Sequence, residues 1–85
     1  MALVCGSVLR KYRRKSQLTQ EQLAFEANLD RNFISLLELG KRMPSLDTVL
    51  AISRALRLPL AVLMASVEAG LEESIDNTDP TSRSS

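Results

Sequence analysis

The sequence predicts an all-α domain: a compact bundle of five helices. Three observations carry this. Apolar residues recur at i, i+3, i+4 and i+7 in separate windows, and no window sustains a period of two. Apolar residues make up 45% of the 85, yet the only aromatics are Tyr12, Phe25 and Phe33. The core must then be Leu, Ile, Val and Ala, which suits helices. Three Gly and three Pro leave too little for the many turns of an all-β domain. The chain length admits one core and no second.

The first helix is expected over 5–15, with Cys5, Val8, Leu9 and Tyr12 on one face. The second, over 20–27, repeats the spacing with Gln20, Leu23, Ala24 and Ala27. It follows Thr19, and Gln22 three residues on completes a capping-box pattern. Asn28 tolerates the left-handed conformation needed at the bend. Asp30 can cap the third helix, over 31–39, its carboxylate accepting N–H bonds at the positive end. Phe33, Ile34 and Leu37 form that helix's stripe, and Gly40 stops it. Ser45, after Pro44, caps the fourth helix, over 46–57, whose stripe is Val49, Ile52, Ser53 and Leu56. Pro59 is tolerated in the first turn of the fifth, over 60–69, where Leu60, Leu63, Met64 and Val67 face the core. From Asp76 the chain holds only Asp, Asn, Thr, Pro, Ser and Arg and reads as a disordered end. The expected organisation is a body over 1–69 and an acidic, flexible tail over 70–85.

The net charge of +1 hides an asymmetry. Residues 1–67 hold ten Lys/Arg against five acids, whereas 68–85 hold one Arg against five acids. The body is thus +5 and the tail −4, and such a body suits a polyanion. Ordinary surface charge is the competing account. The chain has no His, which excludes a His triad and a His metal site. One cysteine excludes an internal disulfide and a Cys-cluster zinc site. Cys5 lies on the core stripe, as inert packing. No metal, cofactor or small-molecule ligand is expected, and no catalytic constellation is visible. No targeting signal is read, and the apolar run at 58–67 is too short to span a bilayer. A soluble protein in a reducing, cytoplasmic setting follows.

The distinctive unit is residues 19–40. Two short helices meet across Asn28-Leu29-Asp30, with Ala24 small enough for them to cross closely. Leu23, Leu29, Ile34 and Leu37 would lock the pair. The outer face of the second helix then opens with Arg31, Asn32 and Ser35. Arg forks onto guanine, Asn onto adenine, and Ser onto a phosphate or base edge. A DNA-recognition helix carries these types at its N-terminal end. A helical hairpin that only packs fits the spacing equally well.

Residues 6–65 resemble the lambda-repressor/Cro, or XRE, family of helix-turn-helix proteins. The pieces that carry the likeness are Leu18-Thr19-Gln20, Leu23-Ala24, Ile34-Ser35, Glu38, Gly40-Lys41, Pro44-Ser45-Leu46 and Leu56. Asn28-Leu29-Asp30-Arg31 followed by Phe33-Ile34-Ser35 is also similar to the controller proteins of restriction–modification systems. The resemblance implies that Gln20 grips a phosphate and braces the recognition helix, and that Thr19 caps and touches the backbone. It implies that Arg31, Asn32 and Ser35 read bases or phosphates, with Phe33 at the edge of the DNA face. Lys41 and Arg42 match a basic loop beside the DNA backbone. Arg13 and Glu38 match a family pair between the first and third helices. Leu36 sits where relatives often carry a polar base reader, leaving contact with a thymine methyl or no reading at all. Arg57 replaces a usual glycine after the fourth helix.

The family usually binds as a two-fold dimer on a near-palindrome. Independently of it, the fifth helix carries a second apolar strip, Leu58, Ala61, Val62, Ala65 and Ala69. An uncovered strip of this kind marks an interface, here with a second copy; the alternative is that both strips are core. The function expected is therefore a homodimeric, sequence-specific regulator that binds double-stranded DNA. An antitoxin-type module, binding DNA and a protein partner through its tail, is the alternative.

Overall fold

The computed structural model describes the backbone of residues 1–78 and the side chains of residues 1–73. The helices are α1 (Ala2–Lys15), α2 (Gln20–Ala27), α3 (Arg31–Glu38), α4 (Leu46–Ala55) and α5 (Leu60–Thr78), with no strand among the described residues. The three caps form as side-chain chemistry dictates. The Thr19 hydroxyl accepts from Gln22 N–H while the Gln22 amide accepts from Thr19 N–H, closing the capping box. Asp30 accepts from Asn32 N–H at 2.9 Å, and Ser45 from Thr48 N–H at 3.2 Å.

The helix stops share one design. Gln17, Asn28, Gly40 and Arg57 all have positive φ, between 57° and 75°, and each follows one of the first four helices. At each, paired backbone bonds close a Schellman turn: Leu18 N–H to Arg13 C=O, Leu29 to Ala24, Lys41 to Leu36, and Leu58 to Ser53. A left-handed residue with a side chain costs about 1–2 kcal/mol. Three of the junctions offset that cost with the next residue: Leu18, Leu29 and Leu58 are all packed against the core. Leu58 is therefore an anchor of the α4 junction and not part of an outward strip on α5, a correction to the sequence expectation.

The core joins Leu9, Leu23, Ala24, Ala27, Ile34, Leu37, Ile52 and Leu56, with Leu63 and Val67 of α5 also buried. Ser53 is buried too, its hydroxyl donating to the Leu50 carbonyl. Close approach of α1 to its neighbours depends on glycine. A Cβ on Gly6 would lie 2.2 Å from the Leu37 carbonyl oxygen and 2.7 Å from that of Glu38. Gly6 thus lets α1 ride over the C-terminal end of α3. Tyr12 Oη lies 2.6 Å from Ser66 Oγ and ties α1 to α5.

Two further expectations are corrected. Met64 keeps 41% of its surface exposed. It rims an apolar groove of about 440 Å³ that is also lined by Cys5, Leu37, Met43 and Val49. And α5 runs nine residues past its expected end at 69, into the span read as an acidic, flexible tail. Residues 79–85 of that tail lie outside the described residues. Burial raises the Cys5 thiol pKa, partly opposed by the nearby N-terminal charge, which disfavours the thiolate.

Candidate nucleic-acid interface

The second turn of α3 is fixed from behind by one carboxylate. Arg13 of α1 grips Glu38 with both prongs, Nε to Oε2 and Nη2 to Oε1 (3.0 Å). Its Nη1 donates to the Leu18 carbonyl at 2.8 Å. Gln20, the first residue of α2, donates from Nε2 to the same Glu38 Oε1 at 3.1 Å. Side-chain exposure is 11% for Arg13 and 3% for Glu38, so solvent screens the pair weakly. The network locks α1, the start of α2 and the end of α3 into one register.

On the outer side the residues have no such commitments. Arg31 and Asn32 form the first two positions of α3, and both side chains are exposed. Lys41 and Arg42 are exposed just beyond the Gly40 turn. Arg13–Glu38 is the only salt bridge among the described residues, so no described carboxylate competes with an outside anion for the cations at 31, 41 and 42. Thr19 spends its oxygen on the cap, which leaves its O–H free to donate. Gln20 has one amide N–H committed to Glu38 and a second one free. Ser35 and Leu36 are half-buried, which leaves them partly accessible. Phe33 is half-buried against the core, and the Arg42 guanidinium lies over its ring, 5.8 Å from the centroid. Ala61, Val62, Ala65 and Ala69 are exposed on α5.

Thr19 caps α2 and Gln20 opens it, Arg31, Asn32, Phe33 and Ser35 lie on α3, and Lys41 and Arg42 lie in the loop that follows. Sequence reasoning missed the Arg42–Phe33 stack and the Tyr12–Ser66 bond. Both join residues whose proximity depends on the path of the chain between them. No group of three or more acidic or sulfur side chains suited to a metal occurs among the described residues.

A helix-turn-helix family profile matches residues 9–63, which spans α2 and α3 and most of the body. The chain is an XRE-type helix-turn-helix protein. Members of this family are DNA-binding transcriptional regulators rather than enzymes. The chain is 47% identical over 55 residues to Control protein C.BamHI of Bacillus amyloliquefaciens, covering 64% of this chain and 68% of that protein. It is 39% identical over 64 residues to Control protein C.MunI of Mycoplasma sp, covering 74% and 86%. Among solved structures it is similar to the restriction–modification controller protein C.AhdI of Aeromonas hydrophila, with a TM-score of 0.71 and 35% identity. That match covers 73% of this helix-turn-helix protein and 94% of the other. No single helix among the described residues is long and apolar enough to cross a membrane.

Proposed function

We propose that this chain is a sequence-specific regulator that occupies a near-palindromic operator as a homodimer, in the manner of the restriction–modification controllers it is similar to. The observation that carries the reading is the contrast between the two sides of α3. Its inner side is locked through Glu38, while its N-terminal side offers Arg31 and Asn32 exposed and, among the described residues, without a carboxylate partner. A rigid helix with free donors at its leading end is what major-groove reading requires. Lys41, Arg42, Thr19 and Gln20 flank it as backbone contacts, with Ser35 and Leu36 on its accessible edge. The exposed Ala61, Val62, Ala65 and Ala69 on α5 serve as the contact with the second copy.

The test is a titration of operators drawn from a pool of DNA fragments by the purified protein, each with single-base variants, at several salt concentrations. Arg31→Ala should lose about 1–3 kcal/mol of discrimination at one base pair of each half-site. Lys41→Ala should keep discrimination and flatten the salt dependence by roughly one unit per half-site. Uniform weakening by Arg31→Ala would make it a phosphate clamp and would sink the assigned reading face.

A further inference from the structure

We infer that Phe33 is a positioning residue for Arg42: its ring holds the guanidinium against α3, so that the loop cation reaches DNA together with the recognition helix. The inference rests on the DNA-binding reading above. Arg42 lies in the irregular stretch between Gly40 and Ser45. It is exposed, and no described carboxylate pairs with it. Its long side chain would otherwise be free to wander, and fixing it on DNA would cost the entropy of that freedom. Among the described residues its anchor is the face of Phe33, 5.8 Å from the guanidinium carbon. Phe33 is itself immobilised, packed against the core cluster beside buried Ile34.

The chemistry of this anchor matters. A carboxylate at the same place would hold Arg42 but cancel its charge and occupy its N–H groups. An aromatic face attracts the cation through its quadrupole and sets no carboxylate oxygen against its five N–H donors. The arginine is thus oriented and still fully available to a phosphate or base edge. The backbone sets up the encounter. The left-handed Gly40 and the Lys41 N–H to Leu36 C=O bond turn the chain at the end of α3. From there Arg42 reaches Phe33, nine residues earlier in sequence. Lys41 is exposed and has no aromatic neighbour of this kind among the described residues.

The experiment compares wild type, Phe33→Leu, Phe33→Tyr, Arg42→Ala, Arg42→Lys and the Phe33→Leu/Arg42→Ala double variant on the selected operators across a salt series. Thermal melts establish that each is folded. Phe33→Leu should weaken binding several-fold and lower the salt slope, as Arg42→Ala does, and the double variant should be no weaker than Arg42→Ala alone. Phe33→Tyr, which keeps the ring, should retain the Arg42 contribution to the salt slope that Phe33→Leu loses, and Arg42→Lys should fall short although it keeps the charge. In the free protein, the Arg42 side-chain proton resonances should carry an upfield ring-current shift that Phe33→Leu removes. Additive losses in the double variant, or Arg42 resonances that Phe33→Leu leaves in place, overturn the inference and leave the operator reading standing. A wild-type protein with no sequence preference takes down both.

Discussion

Changing Glu38 to glutamine removes the charge that Arg13 and Gln20 share. Arg13 keeps only 11% of its side chain in water, so the guanidinium it leaves behind is nearly buried without a counter-charge. One glutamine oxygen can still accept from Arg13, but the amide nitrogen now faces donors on Arg13 or Gln20. Breaking a buried pair from one side costs about 3–5 kcal/mol, and the retained acceptor places this change near the lower end. A chain of this length has a total stability of about 4–13 kcal/mol, so the loss is a large share. At about 4–8 °C per kcal/mol for a domain of this size, the melting temperature should fall by at least roughly 12 °C. Circular dichroism melts of wild type, Glu38→Gln, and the double variant Arg13→Met/Glu38→Leu decide the matter. The apolar double variant should recover much of the loss, because no stranded charge remains. A shift under about 4 °C for Glu38→Gln would equate the pair with an ordinary surface ion pair and refute the claim that it sets the register of α3.

Gly6→Ala should destabilise by about 1–3 kcal/mol despite alanine's better helix propensity, because its methyl meets the Leu37 and Glu38 carbonyls; a neutral or raised melting point would show that α1 can lift off α3 freely. Arg57→Gly should be neutral to stabilising by up to about 1 kcal/mol, since it relieves the positive φ at some cost in unfolded-state entropy, and a clear loss in a denaturant titration would contradict that. Val62→Asp, on the exposed face of α5, should leave the fold intact and shift the sedimentation profile to monomer. Wild type that sediments as a monomer at high micromolar concentration would remove the proposed contact with a second copy.

Much of this fold was legible because much of it is local chemistry. Thr19, Asp30 and Ser45 cap where a short oxygen-bearing side chain precedes a helical pattern, and Gly40 ends α3 for the reason any glycine does. Gln17 and Arg57 gave no such signal, since neither type favours the left-handed region. Their conformation is imposed by Leu18 and Leu58 seeking the core, which is a tertiary effect. Spacing likewise put Met64 on the core stripe of α5, but the groove beside α1 leaves it uncovered. The fifth helix was expected to end at 69. In the structure Gly70 lies where α5 passes Val4, whose Cγ1 would be 2.8 Å from an added Cβ, and the helix continues. At the site, the residue types of α3 were readable because position on a capped helix fixes where they emerge. The Phe33–Arg42 stack was not, because the loop path between them is decided by the Gly40 turn.

The extension of α5 also gives the molecule an electrical direction. Glu68, Glu72 and Glu73 stand exposed along that helix, which packs on α1 and α4, while Arg31, Lys41 and Arg42 lie on α3 and its following loop. The body is 46 Å in its longest dimension, several times the Debye length of about 8 Å at physiological salt. Opposite charges grouped on different elements form a dipole, and the field of a polyanion exerts a torque on a dipole before any atom touches. Within a Debye length of a duplex, the cations of α3 and its loop would be drawn in and the carboxylates of α5 pushed away, so close approach through α3 is favoured over approach through α5. The nearly neutral total means that little net attraction is spent on binding in wrong orientations.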